Sequence, residues 1–191
     1  MKIGMLGGTF NPIHMGHLVL AEECWHRFEL DKVVFIPAHI PPHKEVECSV
    51  SAADRLNMTR LALEGYERFE VSTYEIDKKD ISYSIETIKH FKEKYAPGAE
   101  LFFLTGSDWA GDLSTWKNID EILDSVTFVI ASRPGGNVEK SAYEGKITRI
   151  TIPALDISSS DIRDRIKRRE PIDHLVPAPV VQYIGNKGLY R

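Results

Sequence analysis

Short, almost continuously apolar runs alternate along this chain with stretches in which apolar residues recur every three or four positions. KIGML, residues 2–6, reads as a buried strand, and HLVLAEECWHRF, 17–28, as a helix with Leu18, Ala21, Trp25 and Phe28 on one side. KVVFIP, 32–37, is a second strand closed by proline, and AHIPPHKEVEC, 38–48, is a loop. The spacing predicts a helix over 51–65, with a serine cap, an aspartate three residues on, and glycine just past its end. FEVSTYEI, 69–76, is a third strand, and SYSIETIKHFKEKY, 82–95, a helix that stops before Pro97-Gly98. ELFFLTGSD, 100–108, is a fourth strand and IDEILDSV, 119–126, a short helix. TFVIASRPGG, 127–136, and ITRITIP, 147–153, complete the strands; 158–170 and 177–190 are terminal helices.

Strands that are apolar throughout, separated by amphipathic helices, predict an α/β fold: a Rossmann-like, doubly wound, mostly parallel sheet with helices on both faces. No repeat, low-complexity tract or linker interrupts the pattern, so residues 1–191 are expected to form a single domain, with the helices from about residue 160 packed on it. In such sheets ligands bind at the carboxyl ends of the strands, where the strand order reverses.

Composition narrows the partners. With 24 basic and 28 acidic residues the net charge is −4, which argues against a surface built wholly to hold nucleic acid. Cys24 and Cys48 stand in no metal or redox spacing and fit a reducing compartment, Cys24 as a small core residue. The opening MKIGMLGG is too short for a signal-peptide core, and no run approaches the ~20 apolar residues of a spanning helix. The expectation is a cytoplasmic protein with no membrane partner.

The candidate chemistry begins in GGTFNPIHMGHLVL, residues 7–20, at the junction of the first strand and first helix. It lacks the spacing of a dinucleotide fingerprint or a P-loop, but the backbone logic is shared. Glycines allow a phosphate to approach closely, and a helix start supplies unpaired N–H groups and positive potential. His14 and His17 are three apart and therefore neighbours on one face. Imidazoles there can donate hydrogen bonds to phosphoryl oxygens, and Gly16 between them would leave room for the ligand. A packed histidine pair, a capping turn, and a zinc cluster with His39 and His43 are the alternatives; no cysteine or glutamate completes a familiar zinc pattern. Near the other end, ISSSDIR, 157–163, again joins a strand end to a helix start, with serine hydroxyls, free N–H groups and a guanidinium. A plain helix cap is the alternative there.

These stretches carry a resemblance. His14-Met15-Gly16-His17 resembles the [H/T]-x-G-H signature of the nucleotidyltransferase superfamily, and ISSSDIR its I-S-S-x-x-[IV]-R signature. Within the superfamily the chain is most similar to the bacterial nicotinate-nucleotide adenylyltransferases. GGTFNPIHMGHL, IPAHIPPHK, ADRLNMTRLAL, SYSIETI, LTGSDW, ASRPG and ISSSDIR carry that similarity. The resemblance implies transfer of AMP from ATP to nicotinate mononucleotide, with Mg²⁺ held mostly by the ATP phosphates and no dedicated protein metal site.

It also implies roles. Gly7, Gly8, Thr9, Phe10, His14 and His17 would hold the ATP phosphates, and Ser158, Ser159 and Arg163 would meet them from the other side. Tyr83 and Ser84 would bind the nicotinate carboxylate through backbone N–H groups, although Ser84 stands where the family usually has threonine. Trp116 would stack on the pyridine ring, Asp108 would lie near the ribose, and Lys44 and Arg133 would contact phosphate. The implied partners are ATP and nicotinate mononucleotide, and a homo-oligomer is left open. An adenylyltransferase of nicotinamide mononucleotide or phosphopantetheine, or a non-catalytic nucleotide-binding module, are the competing readings. A class I aminoacyl-tRNA synthetase also uses a histidine-glycine-histidine turn, but the chain lacks the length for tRNA domains.

Overall fold

The structure is a computed structural model, and it describes residues 1–42, 50–107, 113–135 and 141–191. Six parallel strands form one sheet: β1 (Lys2–Gly8), β2 (Lys32–Pro37), β3 (Phe69–Val71), β4 (Glu100–Gly106), β5 (Thr127–Ser132) and β6 (Ile147–Thr151), in the spatial order β3-β2-β1-β4-β5-β6. Every pairing is parallel, with Gly4 opposite Val33 on one side and Phe102 on the other. The strand order reverses between β1 and β4, so the crevice expected of a doubly wound sheet opens at their carboxyl ends.

The apolar runs are continuous because both faces are covered. Val33, Phe35, Phe102, Leu104, Val129 and Ala131 enter one core. Their immediate neighbours Val34, Ile36, Leu101, Phe103, Phe128 and Ile130 enter the other. The first core is shared with α1 (Met15–Arg27), α2 (Ala52–Ala62), α6 (Ser159–Lys167) and α7 (Ala178–Lys187), which ties the end of the chain to its beginning. The second receives α4 (Ser84–Lys94) and α5 (Ile119–Ser125). Among the described residues no helix is long and apolar enough to cross a membrane.

One element differs from its expected form. The third strand ends at Val71, and Tyr74–Lys78 is a helix, α3. Ser72 and Thr73 cause the change: Tyr74 N–H donates to Ser72 Oγ at 3.2 Å, and Thr73 Oγ1 to Asp77 Oδ2 at 2.6 Å. Local side-chain bonds of this kind compete with a sheet ladder. The helix predicted over 82–95 begins at Ser84, because Ser82 pairs instead with the loop after β2.

Candidate active site

At the carboxyl end of β1 the chain turns through Thr9, Phe10, Asn11 and Pro12 before α1 begins. Phe10 holds φ +48°, a left-handed conformation that a bulky residue adopts at a cost of roughly 1–3 kcal/mol. Its ring, 2% exposed, secures the turn by packing beside Phe35 and edge-on to His17 at 5.0 Å. Gly8 is required here, since a Cβ would meet the Phe10 ring at 2.9 Å. Gly16 serves the same turn: a Cβ there would press the His14 ring at 3.1 Å. The room expected for a ligand beside Gly16 thus belongs first to an imidazole.

His14 caps α1, and its ring lies 3.7 Å from that of His17, tilted by 31°. The His14 N–H donates to His17 Nδ1 at 3.2 Å, and the His17 N–H to the His14 carbonyl at 2.9 Å. An Nδ1 that accepts cannot carry a proton, so the His17 proton sits on Nε2. Burial, then the nearby Arg133 charge, push the His14 imidazole down to about 4. The His14 ring therefore acts as a neutral hydrogen-bonding group near pH 7. The pair lies against a cavity of about 500 Å³.

The second serine-rich turn meets the first from behind. Ser159 Oγ donates to the Pro12 carbonyl at 2.9 Å, and Arg163 Nη1 to the Asn11 carbonyl at 3.0 Å. Ser158 Oγ accepts the Asp161 N–H at 3.0 Å as the cap of α6. Tyr190 adds a bond from its hydroxyl to Asn11 Oδ1 at 2.7 Å. Ser158, Ser159 and Arg163 also line the cavity.

Across the cavity, the loop after β2 pairs with the segment before α4. The His39 N–H donates to Ser82 Oγ at 2.9 Å, and the Ser82 N–H to the Ile40 carbonyl at 2.8 Å. This sets the start of α4, with Tyr83 and Ser84, against the opening. Trp116 stands edge-on to Phe103 and Phe128, each at 5.8 Å, and is half-buried. It is both core packing and cavity wall. Beneath lies Glu75 of α3, whose carboxylate accepts the Thr87 hydroxyl at 2.5 Å; burial raises its proton affinity.

The sequence profile described as cytidylyltransferase-like matches residues 5–165. A probable nicotinate-nucleotide adenylyltransferase of Clostridium tetani is 42% identical, covering 100% of this chain and 99% of the relative. One from Moorella thermoacetica is 43% identical, over 100% and 92%. The chain belongs to the cytidylyltransferase-like family. The fold is also that of a solved Plasmodium falciparum nicotinic acid mononucleotide adenylyltransferase complexed with NaAD, with a TM-score of 0.81 at 20% identity, over 99% of this chain and 97% of that one.

In this cytidylyltransferase-like chain one cavity gathers Gly7, Gly8, Thr9, Phe10, His14, His17, Tyr83, Ser84, Trp116, Arg133, Ser158, Ser159 and Arg163. Arg133 is ion-paired with Asp156 on the same side as His14. Lys44 and Asp108 lie outside the described residues, as does His43 of the zinc alternative. Among the described residues no three His, Cys, Asp or Glu side chains are grouped to hold a metal ion.

Three contributors escape the sequence pattern. Glu75 sits in a helix that reads as a strand. Tyr190 meets Asn11 across almost the whole chain. Arg55 gives the one available signal, an arginine in phase with the buried Met58, Thr59 and Ala62 of α2.

Proposed function

We propose that the protein transfers the adenylyl group of ATP to nicotinate mononucleotide, releasing pyrophosphate and forming deamido-NAD. One observation carries this reading: a phosphate-type turn with paired imidazoles shares a single cavity with an aromatic wall and a helix start. The names of the relatives, and the NaAD complex of the Plasmodium protein, support the same acceptor. The unit concerned would be the whole of residues 1–191.

In this reading the backbone of Gly7, Gly8, Thr9 and Phe10, with His14 and His17, holds the triphosphate, and Ser158, Ser159 and Arg163 close it from the other side. Tyr83, Ser84, Trp116 and Arg133, with Lys44 and Asp108, belong to the mononucleotide. The donors around the phosphate turn are N–H groups, imidazoles and guanidinium rather than carboxylates. Mg²⁺ would accordingly enter with the ATP substrate, on its phosphate oxygens, rather than at a site of the protein's own among the described residues.

An oxygen of the mononucleotide phosphate attacks the α-phosphorus, and a new P–O bond forms. The bond from that phosphorus to the oxygen bridging to the β-phosphate breaks, and pyrophosphate leaves with the electron pair. The nucleophile is already anionic and needs no general base. Catalysis rests on in-line positioning and on donors aimed at the growing charge, His17 Nε2–H foremost.

The start of α4 offers the N–H groups of Ser84 and Ile85, while the Glu86 N–H already donates to the Tyr83 carbonyl and the Tyr83 N–H to the Ile81 carbonyl. The helix dipole favours an anion there. The acid acceptor is therefore expected to exceed its amide by roughly tenfold to a hundredfold, from charge-assisted bonds of ~1.5–3 kcal/mol each. The test measures product from ATP with nicotinate mononucleotide, nicotinamide mononucleotide and phosphopantetheine in turn. Equal kcat/KM for acid and amide would end the carboxylate assignment, and turnover of phosphopantetheine alone would overturn the whole reading.

A further inference from the structure

Arg55, from the ADRLNMTRLAL stretch, is 1% exposed and is not part of the cavity wall. A buried guanidinium costs several kcal/mol unless its donors are met. Here the two terminal nitrogens each meet a carbonyl, from two different loops: Nη1 donates to Thr9 O at 2.7 Å, and Nη2 to His39 O at 2.9 Å, while Nε has no partner. The Arg55 backbone carbonyl, in the helix, accepts from Thr59 Oγ1 at 2.8 Å.

Both carbonyls matter to the site. Thr9 O belongs to the peptide that ends in the Phe10 N–H, and in a planar trans peptide these two groups point opposite ways. A carbonyl drawn down to Arg55 turns the Phe10 N–H up, on the side away from the guanidinium. That peptide precedes the strained φ of +48° at Phe10, so it needs an anchor. His39 lies on the acceptor side: its own N–H is bonded to Ser82 Oγ, two residues before the start of α4. One side chain thus bridges the phosphate turn and the loop that pairs with the segment before the acceptor helix.

We propose that Arg55 is a positioning residue, which aims the Phe10 N–H at a nucleoside triphosphate and couples that turn, through His39 and Ser82, to the acceptor pocket. The inference rests on the adenylyltransferase reading for the identity of the ligand. It adds to that reading a residue that touches neither substrate.

The experiment begins with the unaltered protein, ¹⁵N-labelled and titrated with a non-hydrolysable ATP analogue. The Phe10 amide resonance is expected to move and to gain protection from exchange. Arg55→Lys keeps the charge but cannot hold both carbonyls. It should weaken the analogue at least tenfold and remove the gain in analogue affinity produced by saturating nicotinate mononucleotide. Thr59→Val loosens the same helix without touching either loop, and should lower the melting temperature while leaving analogue affinity within twofold of wild type. Analogue binding with an unmoved Phe10 amide overturns the inference while the functional reading stands, even if Arg55→Lys fails to fold. So does wild-type affinity and coupling in Arg55→Lys, or an equal loss in Thr59→Val. Absence of analogue binding to the unaltered protein would overturn the functional reading, and this inference with it.

Discussion

The two turns that meet at the cavity look alike in sequence and differ in what they present. Each joins a strand end to a helix start, carries small residues, and places a basic or imidazole side chain about one turn later. In Gly7–His17 the glycines have no side chain to reach anything, so backbone N–H groups and two imidazoles are what the turn offers. In Ile157–Arg163 the hydroxyl of Ser159 and the guanidinium of Arg163 reach the carbonyls of Pro12 and Asn11. Ser158 caps its own helix. The second motif thus holds the first as well as lining the cavity with it. Carbonyls gathered by donors behind the turn are turned away from where an anion would sit, and that orientation is what makes the front of the turn suited to phosphate.

The sharpest way to break this contrast is at His17. If its Nε2–H faces charge that grows only during transfer, His17→Ala lowers kcat and kcat/KM together by about 10²–10³, roughly 2.7–4 kcal/mol, with ATP affinity almost unchanged. His17→Gln separates catalysis from capping. Glutamine at this position can accept the His14 N–H as the imidazole does, restoring stability but not turnover. Single-turnover kinetics beside ATP-binding calorimetry decide the matter, and near-normal turnover in a folded His17→Ala would make the pair structural.

A second difference is electrostatic. His14 is held neutral to about pH 4, against an ordinary value near 6.5. Between those values the unfolded chain binds the proton and the folded one does not, so stability rises with pH. The His14 contribution is fully present above 6.5 and is lost as pH falls towards 4; it amounts to about 3 kcal/mol. The raised carboxyl of Glu75 has the opposite sign, its contribution present at low pH and lost as pH rises. Denaturation of wild type and His14→Gln from pH 4 to 7 isolates the histidine. The two should converge at the acid end; a constant gap would mean that His14 does not titrate in this window.

Arg163 tests the bracing turn. Arg163→Lys removes the planar fork that reaches the Asn11 carbonyl and Ser160 Oγ while keeping a positive charge. We expect a loss of about tenfold to a hundredfold in kcat/KM for ATP, or ~1.5–3 kcal/mol, the range of a hydrogen bond from a charged donor. If lysine restores full activity, charge at the cavity is what counts, and the bond to the turn is incidental.

Much of this arrangement is legible in the sequence alone. Continuous apolar runs announced a parallel sheet covered on both faces, and the alternation of Phe102 and Phe103 between two cores bears that out. The histidine turn and the serine-arginine turn stand out in the sequence as candidate ligand sites, and residues of both line the same cavity. Arg55, Glu75 and Tyr190 do not stand out, for distinct reasons. Arg55 shows only as an arginine in phase with a buried helix face; its two carbonyl partners, being backbone, leave no mark in a sequence. Glu75 depends on Ser72 and Thr73 converting an expected strand into a helix. Tyr190 reaches Asn11 only because α7 shares a core with α1.

The smallest expected effect is the most specific to the bracing role. Ser159 Oγ gives one neutral hydrogen bond to the Pro12 carbonyl, worth about 1 kcal/mol net. Ser159→Ala should weaken ATP by severalfold at most and leave kcat nearly unchanged, because the loss falls on the resting position of the turn rather than on the transferring phosphoryl group. Ser158→Ala is its partner experiment. That hydroxyl caps α6, so its removal should cost a similar ~0.5–2 kcal/mol in stability with little change in ATP affinity. Equal effects on stability from both, with none on ATP, would reduce the second motif to a helix cap. A large fall in kcat for Ser159→Ala would instead place its hydroxyl on the reacting phosphates, and the two turns would then be equivalent after all.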